Sequence, residues 1–522
     1  MKTITTGGMR EIDRLAADEF ELPGKELMQR AGHGVAVLVE RLCDRHHLMN
    51  PFIQLIAGRG KNGGDAFVAA RILREDGHEV ELLLAGNATD IRGDALAHFS
   101  KMRAAGVPFR EITTKEAWDE ALDEDEMCHI LVDGVLGIGI HGPPRGPAAG
   151  AIDYINALSV HALVVSIDVP SGLDADAGTA PGAVVTADLT ATIGLPKKGM
   201  LMPEALPLVG AVEVIPLGIP DELIKSLPTG LELLTISDVA PNLPRRARAA
   251  HKGDFGHLLA IGGAAGYAGA IALTGRAALR SGAGLVSVLT PHGVVPLVAG
   301  TMLEVMTHGG PETETGSLCA DGWNLWIGRL AEFQAVAAGP GLTRHAESAK
   351  LVDHLLKTVT VPMVLDADAL FGFAGHPEKL QQAAGPVVIT PHPGELARLL
   401  GWTVEKVQAG RVAAATRAAE LTHAVVVLKG AGTLVAAHGT PTLFVNLNGN
   451  PGMATGGMGD ALTGLIGGLL AQGLAPFAAA CAGVYVHGLA GDCAAAHHSQ
   501  AGLTAGDVIE EITNVLRDIQ GR

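Results

Sequence analysis

Short apolar segments alternate with amphipathic ones along most of the chain, and this alternation restricts the possible folds more than any other feature of the sequence. The predicted strands of the first half are 52–58, 78–86, 129–137 and 163–172. Helices are predicted at 66–77 and 94–106, and one or two more at 8–45 before the pattern begins. Strands that are apolar throughout and that alternate with helices are typical of a doubly wound α/β domain with a parallel sheet.

The alternation stops at residues 218–248 and then starts again, which divides the chain into two parts. This stretch contains four prolines and the basic run RRAR. The predicted strands after it are 257–263, 284–290, 335–342, 362–370, 387–395 and 424–433. A helix is predicted at 270–280, and the C-terminal end is predicted to be helical from 460 to 519. Because a single core rarely holds 522 residues, we predict two α/β domains, 1–226 and 227–522.

Composition and charge exclude several classes of function. The formal net charge of −17 is unfavourable for nucleic-acid binding, so we expect small-molecule ligands and no nucleic-acid partner. The five cysteines are scattered and include no CxxC, a pattern that fits the cytoplasm and indicates neither a zinc cluster nor a disulfide framework. No apolar signal segment is visible at the start. Residues 461–486 carry no formal charge, but Gln472 and Pro476 favour two ordinary helices over a membrane span.

A glycine-rich segment, GRGKNGGDAFVAAR (58–71), lies between a predicted strand and a predicted helix, where open α/β sheets bind ligands. It matches the dinucleotide pattern GxGxxG only loosely and adds an amide and an acid, which a pyrophosphate loop does not need. Asp133 and Asp168 follow two other predicted strands. Each acid alone is typical of a cap or turn, but three polar strand ends together predict a shared site. Oxygen ligands from Asn62, Asp133 and Ser171 would suit a hard cation rather than zinc.

The segment GNPGMATGGMGDALTG (449–464) contains a single charged residue, Asp460, among many glycines. Glycines let main-chain N–H groups approach a ligand closely. We expect Asp460 in or near the first turn of the helix that follows, where free N–H groups and the helix dipole favour an anion. A helix N-cap is the alternative role for this Asp. A second motif, KGAGT (429–433), follows a strand and fits either a phosphate-binding turn with Lys429 or a β-hairpin turn.

The runs KNGGD, VDGVLGIG and IDVPSGLDAD, in that order, resemble the NAD(P)HX epimerase domain of the bifunctional NAD(P)H-hydrate repair enzymes. The resemblance implies a Rossmann-like domain with a potassium ion held by Asn62, Asp133 and Ser171. It also implies substrate contacts along two segments and at Asp168, which would serve as the acid–base group. The residues of these segments are Lys61, Asn62, Gly63, Gly64, Asp65, Gly137, Ile138, Gly139, Ile140, His141, Gly142 and Pro143. Lys61 and Ala66 depart from the family pattern, which has Asn and Gly at these positions.

The second half contains GPGL, TPHPGE, KGAGT and GGMGD in the order that resembles the dehydratase domain of the same family, with a ribokinase-like α/β fold. The residues that the resemblance assigns to the substrate are Ala270, Gly341, His392 and Asp460. Those that it assigns to the nucleotide are Lys429, Gly430, Ala431, Gly432, Thr433 and Gly459. Asp460 would take the proton of the attacking hydroxyl, and Glu395 would orient a magnesium-bound water. Met458 departs from the family pattern, which has Thr there, and Thr455 is a candidate replacement for that hydroxyl.

Together, the two resemblances imply an enzyme that repairs hydrated nicotinamide cofactors. It would interconvert (R)- and (S)-NAD(P)HX and dehydrate the S epimer with ADP, giving NAD(P)H, AMP and phosphate, with ATP as an alternative donor. The implied cofactors are potassium and magnesium ions, and we expect a cytoplasmic homo-oligomer with no membrane partner. Two alternatives stay open at this point. One is a sugar or vitamin kinase joined to an unrelated ligand sensor, and the other is a non-catalytic binding protein.

Overall fold

The structure is a computed structural model that describes residues 1–124, 127–140, 142–228 and 230–521. It contains two compact units, Lys2–Thr229 and Gly230–Arg522, and Met1 belongs to the second of them. The division falls close to the join expected at residue 226. Each unit has its own sheet and its own apolar core.

The first unit contains a parallel sheet. Its strands are β1 (Phe52–Ala57), β2 (Glu79–Ala85), β3 (Phe109–Ile112), β4 (Ile130–Gly134), β5 (Leu163–Ile167), β6 (Leu189–Ile193) and β7 (Ala211–Ile215). Their order across the sheet is β3-β2-β1-β4-β5-β6-β7, and every neighbouring pair is parallel. Strands β1 to β3 therefore follow one another toward one edge of the sheet, and strands β4 to β7 toward the other edge. The crevice at the carboxyl ends of β1 and β4, where the direction changes, is a common ligand site.

Helices cover the sheet of the first unit. They are α1 (Thr6–Phe20), α2 (Gly24–Arg45), α3 (Lys61–Glu75), α4 (Gly93–Ala104), α5 (Lys115–Glu124), α6 (Pro147–Leu158), α7 (Leu206–Val209) and α8 (Asp221–Ser226). In α2, buried Val35, Val39 and Leu42 recur at spacings of four and three residues, which gives the helix one apolar face. Gly32 of α2 lies so close to α3 that a Cβ there would be 2.5 Å from the carbonyl oxygen of Asp65. Substitution of Gly32 is therefore expected to push α3 out of place.

The second unit contains a larger, mixed sheet. Its strands are β8 (Leu231–Leu233), β9 (His257–Ile261), β10 (Leu285–Pro291), β11 (Met306–Gly310), β12 (Ala335–Ala338), β13 (Met363–Leu365), β14 (Val387–Ile389), β15 (Val425–Leu428), β16 (Thr433–Ala437) and β17 (Leu443–Asn446). The order is β11-β10-β9-β12-β13-β14-β15-β16-β17-β8. Strands from β11 to β15 pair in parallel, whereas β16 is antiparallel to both of its neighbours.

The helices of the second unit surround α17, which is buried on all sides. They are α9 (Ile236–Val239), α10 (Ala268–Arg280), α11 (Val295–Thr301), α12 (Asp321–Asn324), α13 (Ala346–Thr358), α14 (Pro393–Leu400), α15 (Val404–Ala409), α16 (Arg411–Thr422), α17 (Met458–Ala471), α18 (Pro476–His497) and α19 (Ala505–Ile519). Every residue of α17 from Ala461 onward is buried. Gly464 allows close contact with α10, since a Cβ there would lie 2.0 Å from the carbonyl oxygen of Thr274. The core therefore fixes the first turn of α17, which carries Asp460.

The predicted α/β fold with parallel sheets is confirmed, with three corrections. Strands with polar or exposed residues, such as β3 and β11, were not predicted, because neighbouring strands rather than their own sequences stabilise them. The antiparallel pairing of β16 with both of its neighbours in the second sheet does not follow from the alternation of strands and helices. Helix α3 begins at Lys61 rather than at residue 66, so KNGGD forms its first turns instead of a loop.

The uncharged stretch 461–486 divides into α17 and α18, as predicted. Helix α18 has the length and hydropathy of a membrane span, but two thirds of its most apolar window, 67%, is buried within the protein. A buried core helix passes the same test of length and composition. All five cysteines are free thiols, and Cys43, Cys128 and Cys481 are buried.

Candidate active sites in the two units

A cavity of about 900 Å³ opens in the first unit at the carboxyl ends of β1 and β4. The predicted site residues that line it are Lys61, Asn62, Asp65, Gly137, Ile138, Gly139, Ile140 and Asp168. Residues from α1 and α2 form part of its wall, including Asp13 and Met28. The topology therefore brings together side chains that are more than 100 positions apart in the sequence.

The three predicted cation ligands lie next to one another around residues 133–136. Asp133 is completely buried, and its carboxylate accepts hydrogen bonds from the Ser171 hydroxyl at 2.5 Å and the Ser171 N–H at 2.8 Å. It also accepts bonds from the Ser166 hydroxyl at 2.8 Å and the Val135 N–H at 3.2 Å. The Asn62 side-chain amide donates to the Leu136 carbonyl at 3.0 Å, so one network connects all three residues.

This network has the chemistry of a site for a hard cation. Its polar atoms include a carboxylate, a hydroxyl, a carboxamide and the carbonyl oxygen of Leu136, and Asp133 is its one formal charge. Burial raises the pKa of Asp133, although hydrogen bonds from Ser171 and Ser166 oppose this shift. Among the described residues, no group of three or more His, Cys, Asp or Glu side chains could hold a metal ion. The residues present therefore fit a weakly charged, oxygen-coordinated cation such as potassium and not zinc.

Asp168 is held rigidly beside the cavity. It lies one residue after β5, with a positive φ of 67° that is rare for a residue with a side chain. The Lys197 ammonium donates to its Oδ1, and the Ile193 N–H donates to the same oxygen at 3.1 Å. Lys197 is buried, and it also donates to the Ile193 carbonyl oxygen at 2.7 Å. These contacts fix the position of one carboxylate oxygen.

Asp65 also lines the cavity, but its hydrogen bonding differs from that of Asp168. It lies on α3 and is 9% exposed, and no described residue donates a hydrogen bond to its side chain. Burial raises the pKa of Asp65 well above its ordinary value, and the charge of Asp168 acts in the same direction. The opposing influences of Lys61 and Lys197 are weaker. A buried carboxyl group with a raised pKa and a second carboxyl group that is paired with Lys197 therefore line one cavity.

Several predicted residues near the cavity have a packing role. A Cβ on Gly63 would lie 1.8 Å from the carbonyl oxygen of Gly58, and one on Gly64 would lie 2.4 Å from the sulfur of Met28. Glycine is therefore required for α3 to approach β1 and α2. Gly142 has a positive φ of 81°, and Pro143 packs against Gly182. His141 lies outside the described residues.

The two departures from the family pattern in the first unit have different surroundings. Lys61 is exposed, and its ammonium lies 3.3 Å from the carboxylate of Asp13. Ala66 is completely buried, and a Cβ on Gly134 would lie 2.7 Å from its methyl group. Ala66 is therefore accommodated by the glycine at the end of β4.

The second candidate site contains a buried ion pair. Asp366 follows β13 and is 1% exposed. Its carboxylate accepts one hydrogen bond from the Lys429 ammonium and one from the Thr463 hydroxyl, both at 2.7 Å. Burial alone would lower the pKa of Lys429, but the charges of Asp366 and Glu395 raise it. Lys429 therefore lies between two carboxylates, one just after β13 and one in the first turn of α14.

Asp460 is the third residue of α17 and lies beside this ion pair. Residue 457 is the N-cap, so the N-cap interpretation of Asp460 is wrong. Burial and the negative charge of Asp366 raise its pKa to about 6, while Lys429 opposes the shift. A carboxylate with this pKa is ionised at neutral pH and still has an appreciable proton affinity. Asp460 is therefore suited to act as a general base.

The KGAGT motif is a β-hairpin turn between β15 and β16. Arg411 lies beneath it on α16 and is 5% exposed, and burial lowers the pKa of Arg411 to about 10. Its guanidinium donates to the carbonyl oxygens of Leu428, Lys429 and Gly432, at 3.2–3.3 Å. Because the C=O and N–H of a trans peptide point in opposite directions, the Gly430 N–H points away from Arg411. The hairpin geometry thus remains compatible with a phosphate-binding turn.

His392 and Glu395 cap the start of α14. The His392 Nδ1 accepts hydrogen bonds from the N–H groups of Gly394 at 3.0 Å and Glu395 at 3.4 Å. The Glu395 carboxylate accepts a bond from the His392 N–H at 2.8 Å, and it lies 3.9 Å from the Lys429 ammonium. Burial lowers the pKa of His392, so its imidazole is mainly neutral at pH 7. The cap occupies Nδ1, and Nε2 lies 3.4 Å from the other carboxylate oxygen of Glu395.

The remaining predicted residues of the second unit lie close to strand ends and helix starts. Ala270 is in the first turn of α10, and Gly341 has a φ of 68° and would clash with Tyr267 if it carried a Cβ. A Cβ on Gly459 would lie 3.2 Å from the Lys429 nitrogen. Met458 is a buried core residue. Its thioether therefore fills the core where the family pattern has a hydroxyl.

Sequence reasoning missed Lys197, Asp366, Arg411 and Thr463. Asp366 stands in LDADAL directly after a predicted strand, a position that is itself a signal. Thr463 lies one turn after Asp460 and so shares its helix face. Lys197 and Arg411 have no local signal, because their partners come from distant parts of the chain.

Comparison with known proteins identifies relatives of both units. Residues 24–199 match the family profile described as YjeF-related protein N-terminus, and residues 258–514 match the one described as NAD(P)H-hydrate dehydratase. A protein from Moorella thermoacetica, named bifunctional NAD(P)H-hydrate repair enzyme Nnr, is 40% identical over 520 residues, with 100% of this chain and 97% of the relative covered. A relative of the same name from Escherichia coli is 38% identical over 512 residues, with coverages of 97% and 92%.

A solved structure is also similar to part of the chain. It is described as an ADP/ATP-dependent NAD(P)H-hydrate dehydratase from Bacillus subtilis, co-crystallised with ATP and Mg²⁺. The two chains are 32% identical, with a TM-score of 0.48, and the match covers 56% of this chain and 100% of the other.

Proposed function

Because this chain belongs to the bifunctional NAD(P)H-hydrate repair enzymes, we propose that its two units carry out the two reactions of the family separately. Residues 1–226 interconvert (R)- and (S)-NAD(P)HX, and residues 227–522 dehydrate the S epimer. Membership of this family removes the two alternatives of a sugar or vitamin kinase with an unrelated sensor and of a non-catalytic binding protein. ADP is the phosphoryl donor in this proposal, and AMP and phosphate are its products.

The position of Asp460 supports the dehydration chemistry. Hydration of the nicotinamide ring leaves a hydroxyl at C6, and hydroxide is a poor leaving group. Asp460 takes the proton of this hydroxyl while the nucleotide phosphorylates it. Phosphate then leaves C6 with the electrons of the C–O bond, and C5 loses a proton to solvent, which restores the ring double bond. The N–H of Gly459 and the ammonium of Lys429 stabilise the negative charge of the transferred group. The raised pKa of Asp460, about 6, is suited to this proton transfer at neutral pH.

Nucleotide and substrate are assigned to adjacent surfaces of the second unit. The hairpin turn Lys429, Gly430, Ala431, Gly432 and Thr433 faces the nucleotide phosphates with its outward N–H groups. Ala270, Gly341 and His392 contact the hydrated substrate. Glu395 would hold a magnesium ion through water, and the ion would supply positive charge to the phosphates. The carboxylate of Glu395 lies 3.9 Å from Lys429, which supports its place in the same site.

The cavity of the first unit supports the epimerase assignment. Its volume of about 900 Å³ lies in the range of small-molecule and cofactor sites. Asp168 is the acid–base group for the exchange at C6. Asn62, Asp133 and Ser171 would hold a potassium ion beneath the cavity. The ion would compensate the charge of Asp133 and fix the loops that contact the substrate.

The most direct test is incubation of the purified protein with a mixture of (R)- and (S)-NADHX, with ADP or ATP. Full recovery of the absorbance of the reduced nicotinamide is expected with ADP in potassium buffer. Recovery of only the S fraction would contradict the epimerase assignment. No recovery with either nucleotide would contradict the dehydratase assignment, and preference for ATP would correct the donor.

The partners in this proposal are small molecules only, in a cytoplasmic homo-oligomer. The net charge of −17 supports the absence of a nucleic-acid partner. Analytical ultracentrifugation tests the oligomeric state, and a monomer at the working concentration would contradict it.

A further inference from the structure

We infer that Asp65 is the proton donor and Asp168 the proton acceptor for epimer exchange at C6, with Lys197 as the positioning residue for Asp168. This inference rests on the epimerase activity proposed for the first unit. It gives a function to Asp65, which otherwise would be a buried carboxyl group with no hydrogen-bond donor among the described residues. It also gives a function to the buried ammonium of Lys197.

The two carboxyl groups share one cavity but have opposite surroundings. Asp168 accepts hydrogen bonds from the Lys197 ammonium, which is a cation, and from the Ile193 N–H. Asp65 receives neither kind of contact and is among the buried residues. The charges that face Asp65 from other elements are Asp13 on α1, Asp168 after β5 and Lys197 after β6, and Lys61 lies on its own helix. When two neighbouring acids have environments that differ in this way, one can act as the proton donor and the other as the proton acceptor.

The chemistry of a hydrated nicotinamide requires this pair of roles. The C6 hydroxyl is attached to the carbon next to the ring nitrogen. When Asp65 gives its proton to that hydroxyl, the C6–O bond breaks, both electrons leave with oxygen as water, and the nitrogen lone pair forms a C=N bond. A water then attacks C6 from the opposite face, the C=N electrons return to nitrogen, and Asp168 takes the proton of the attacking water. The product is the other epimer, and exchange with solvent or the reverse reaction restores both acids.

The experiment uses the full chain without nucleotide, so that dehydration does not occur, and starts from pure (R)-NADHX. Formation of the S epimer is followed by chromatography. Asp65→Asn should lower the rate by at least ~10²-fold, because an amide cannot donate an acid proton. Asp76→Asn is the matched control, because Asp76 is the exposed C-cap of the same helix and does not line the cavity, so its rate should equal that of the wild type. An active Asp65→Asn variant overturns the inference while leaving the epimerase assignment intact.

The pH dependence separates catalysis from a structural role. Burial raises the pKa of Asp65, so the wild-type rate should fall as pH increases through that pKa, because the donor form is lost. A raised carboxyl pKa in the folded state also means that stability decreases with pH between the ordinary Asp value of about 4 and the raised value. The gain in melting temperature of Asp65→Asn over the wild type should therefore grow across this interval. A gain that is independent of pH overturns the proposed protonation state.

Lys197→Met tests the positioning role. The variant should reduce kcat strongly and change KM little, because the Lys197 ammonium is buried and donates to Asp168 and to the Ile193 carbonyl oxygen. The wild type should also incorporate ¹⁸O at C6 from labelled water with each exchange, faster than an enzyme-free control. A change confined to KM contradicts the positioning role. Epimerisation without the label contradicts cleavage of the C6–O bond.

Discussion

The two units bury an acid at the same kind of place, the carboxyl end of a parallel strand, but they balance its charge in different ways. Asp133 is surrounded by four neutral donors, from Ser166, Ser171 and Val135. Asp366 has the Lys429 ammonium at 2.7 Å as well as a hydroxyl. Neutral donors reduce the cost of burying a carboxylate without cancelling its charge, whereas an ion pair cancels most of it.

This difference indicates what each site requires from outside the chain. The Asp133 network contains one carboxyl group, several oxygen atoms and no cationic donor in the bonds described above, which suits the potassium ion proposed for it. The Asp366–Lys429 pair already contains its cation, which in turn faces Glu395 and Asp460. The first site is therefore expected to depend on a monovalent cation, and the second on the protonation state of Asp460 as well as on the magnesium ion proposed at Glu395.

The strongest test of the comparison is Asp460→Asn. Dehydration of (S)-NADHX with ADP should fall by at least ~10²-fold, because the amide cannot take the hydroxyl proton. Epimer exchange in the same protein should remain at the wild-type rate, since no residue of the first cavity changes. Recovery of nicotinamide absorbance and chromatography of the epimers measure the two activities. Loss of both activities in a folded variant would contradict the separation of functions.

Asp133→Asn should give the next largest effect. This effect should be confined to epimer exchange. Removing the formal charge should lower potassium affinity and epimer exchange by about 10- to 100-fold, the range seen when the support of a metal site is lost. Potassium should raise the melting temperature of the wild type, compared with a large organic cation at equal ionic strength, but not that of the variant. Asp153→Asn, which affects an exposed pair with Lys115, is the control. Wild-type exchange that is indifferent to potassium would show that Asp133 needs no ion.

The pH profile of dehydration should show the base of the second site. Because the pKa of Asp460 is raised to about 6 and the ionised form is needed, activity should be constant above that pH. Below it, the rate should fall by about tenfold for each pH unit. Asp366→Asn removes the neighbouring negative charge that raises the Asp460 pKa. The activity that remains in this variant should therefore begin to fall at a lower pH than in the wild type. An unchanged acid limb would mean that Asp366 does not act on Asp460 electrostatically.

Gly459→Ala should have the smallest effect. The new methyl group would lie 3.2 Å from the Lys429 nitrogen and 3.6 Å from an Asp366 oxygen, so Lys429 must shift slightly. We expect a several-fold increase in the KM for ADP, with stability changed by no more than about 1 kcal/mol. Gly506→Ala is a matched control, because Gly506 is also the second residue of a helix but its nearest neighbour would lie at 3.5 Å. Equal effects of both substitutions would exclude a specific role for the space beside Lys429.

The sequence predicts the parts of the fold that carry their own pattern. Strand β1, FIQLIA, is apolar almost throughout and was found within one residue of its predicted end. Strand β11, MTHGG, has no such pattern and exists because β10 pairs with it. The start of α3 was placed too late because glycines in KNGGD suggested a loop. Their actual role is to permit close helix packing, which is a property of the tertiary structure.

The residues of the candidate sites also fall into two groups: those that a local sequence motif predicts and those that only the folded chain brings together. Asn62, Asp133, Asp168 and Asp460 stand in recognisable motifs, and their approximate positions follow from parallel-sheet topology. Lys197 is 29 residues from Asp168, and Lys429 is 63 residues from Asp366. No local pattern connects such partners. The environment of each acid, and therefore its protonation state, depends on the folded chain.

Arg411 has a consequence for the thermodynamics of nucleotide binding. Its guanidinium donates to two carbonyl oxygens of the KGAGT turn and to that of Leu428 just before it, and Gly430 and Gly432 have φ values of 123° and 62°. The turn therefore loses its backbone entropy when the protein folds and not when the nucleotide arrives. Association with the nucleotide should in this respect have a smaller entropic penalty than at a loop that becomes ordered on contact. A calorimetric titration would show this as a binding entropy that becomes less favourable when Arg411 is replaced.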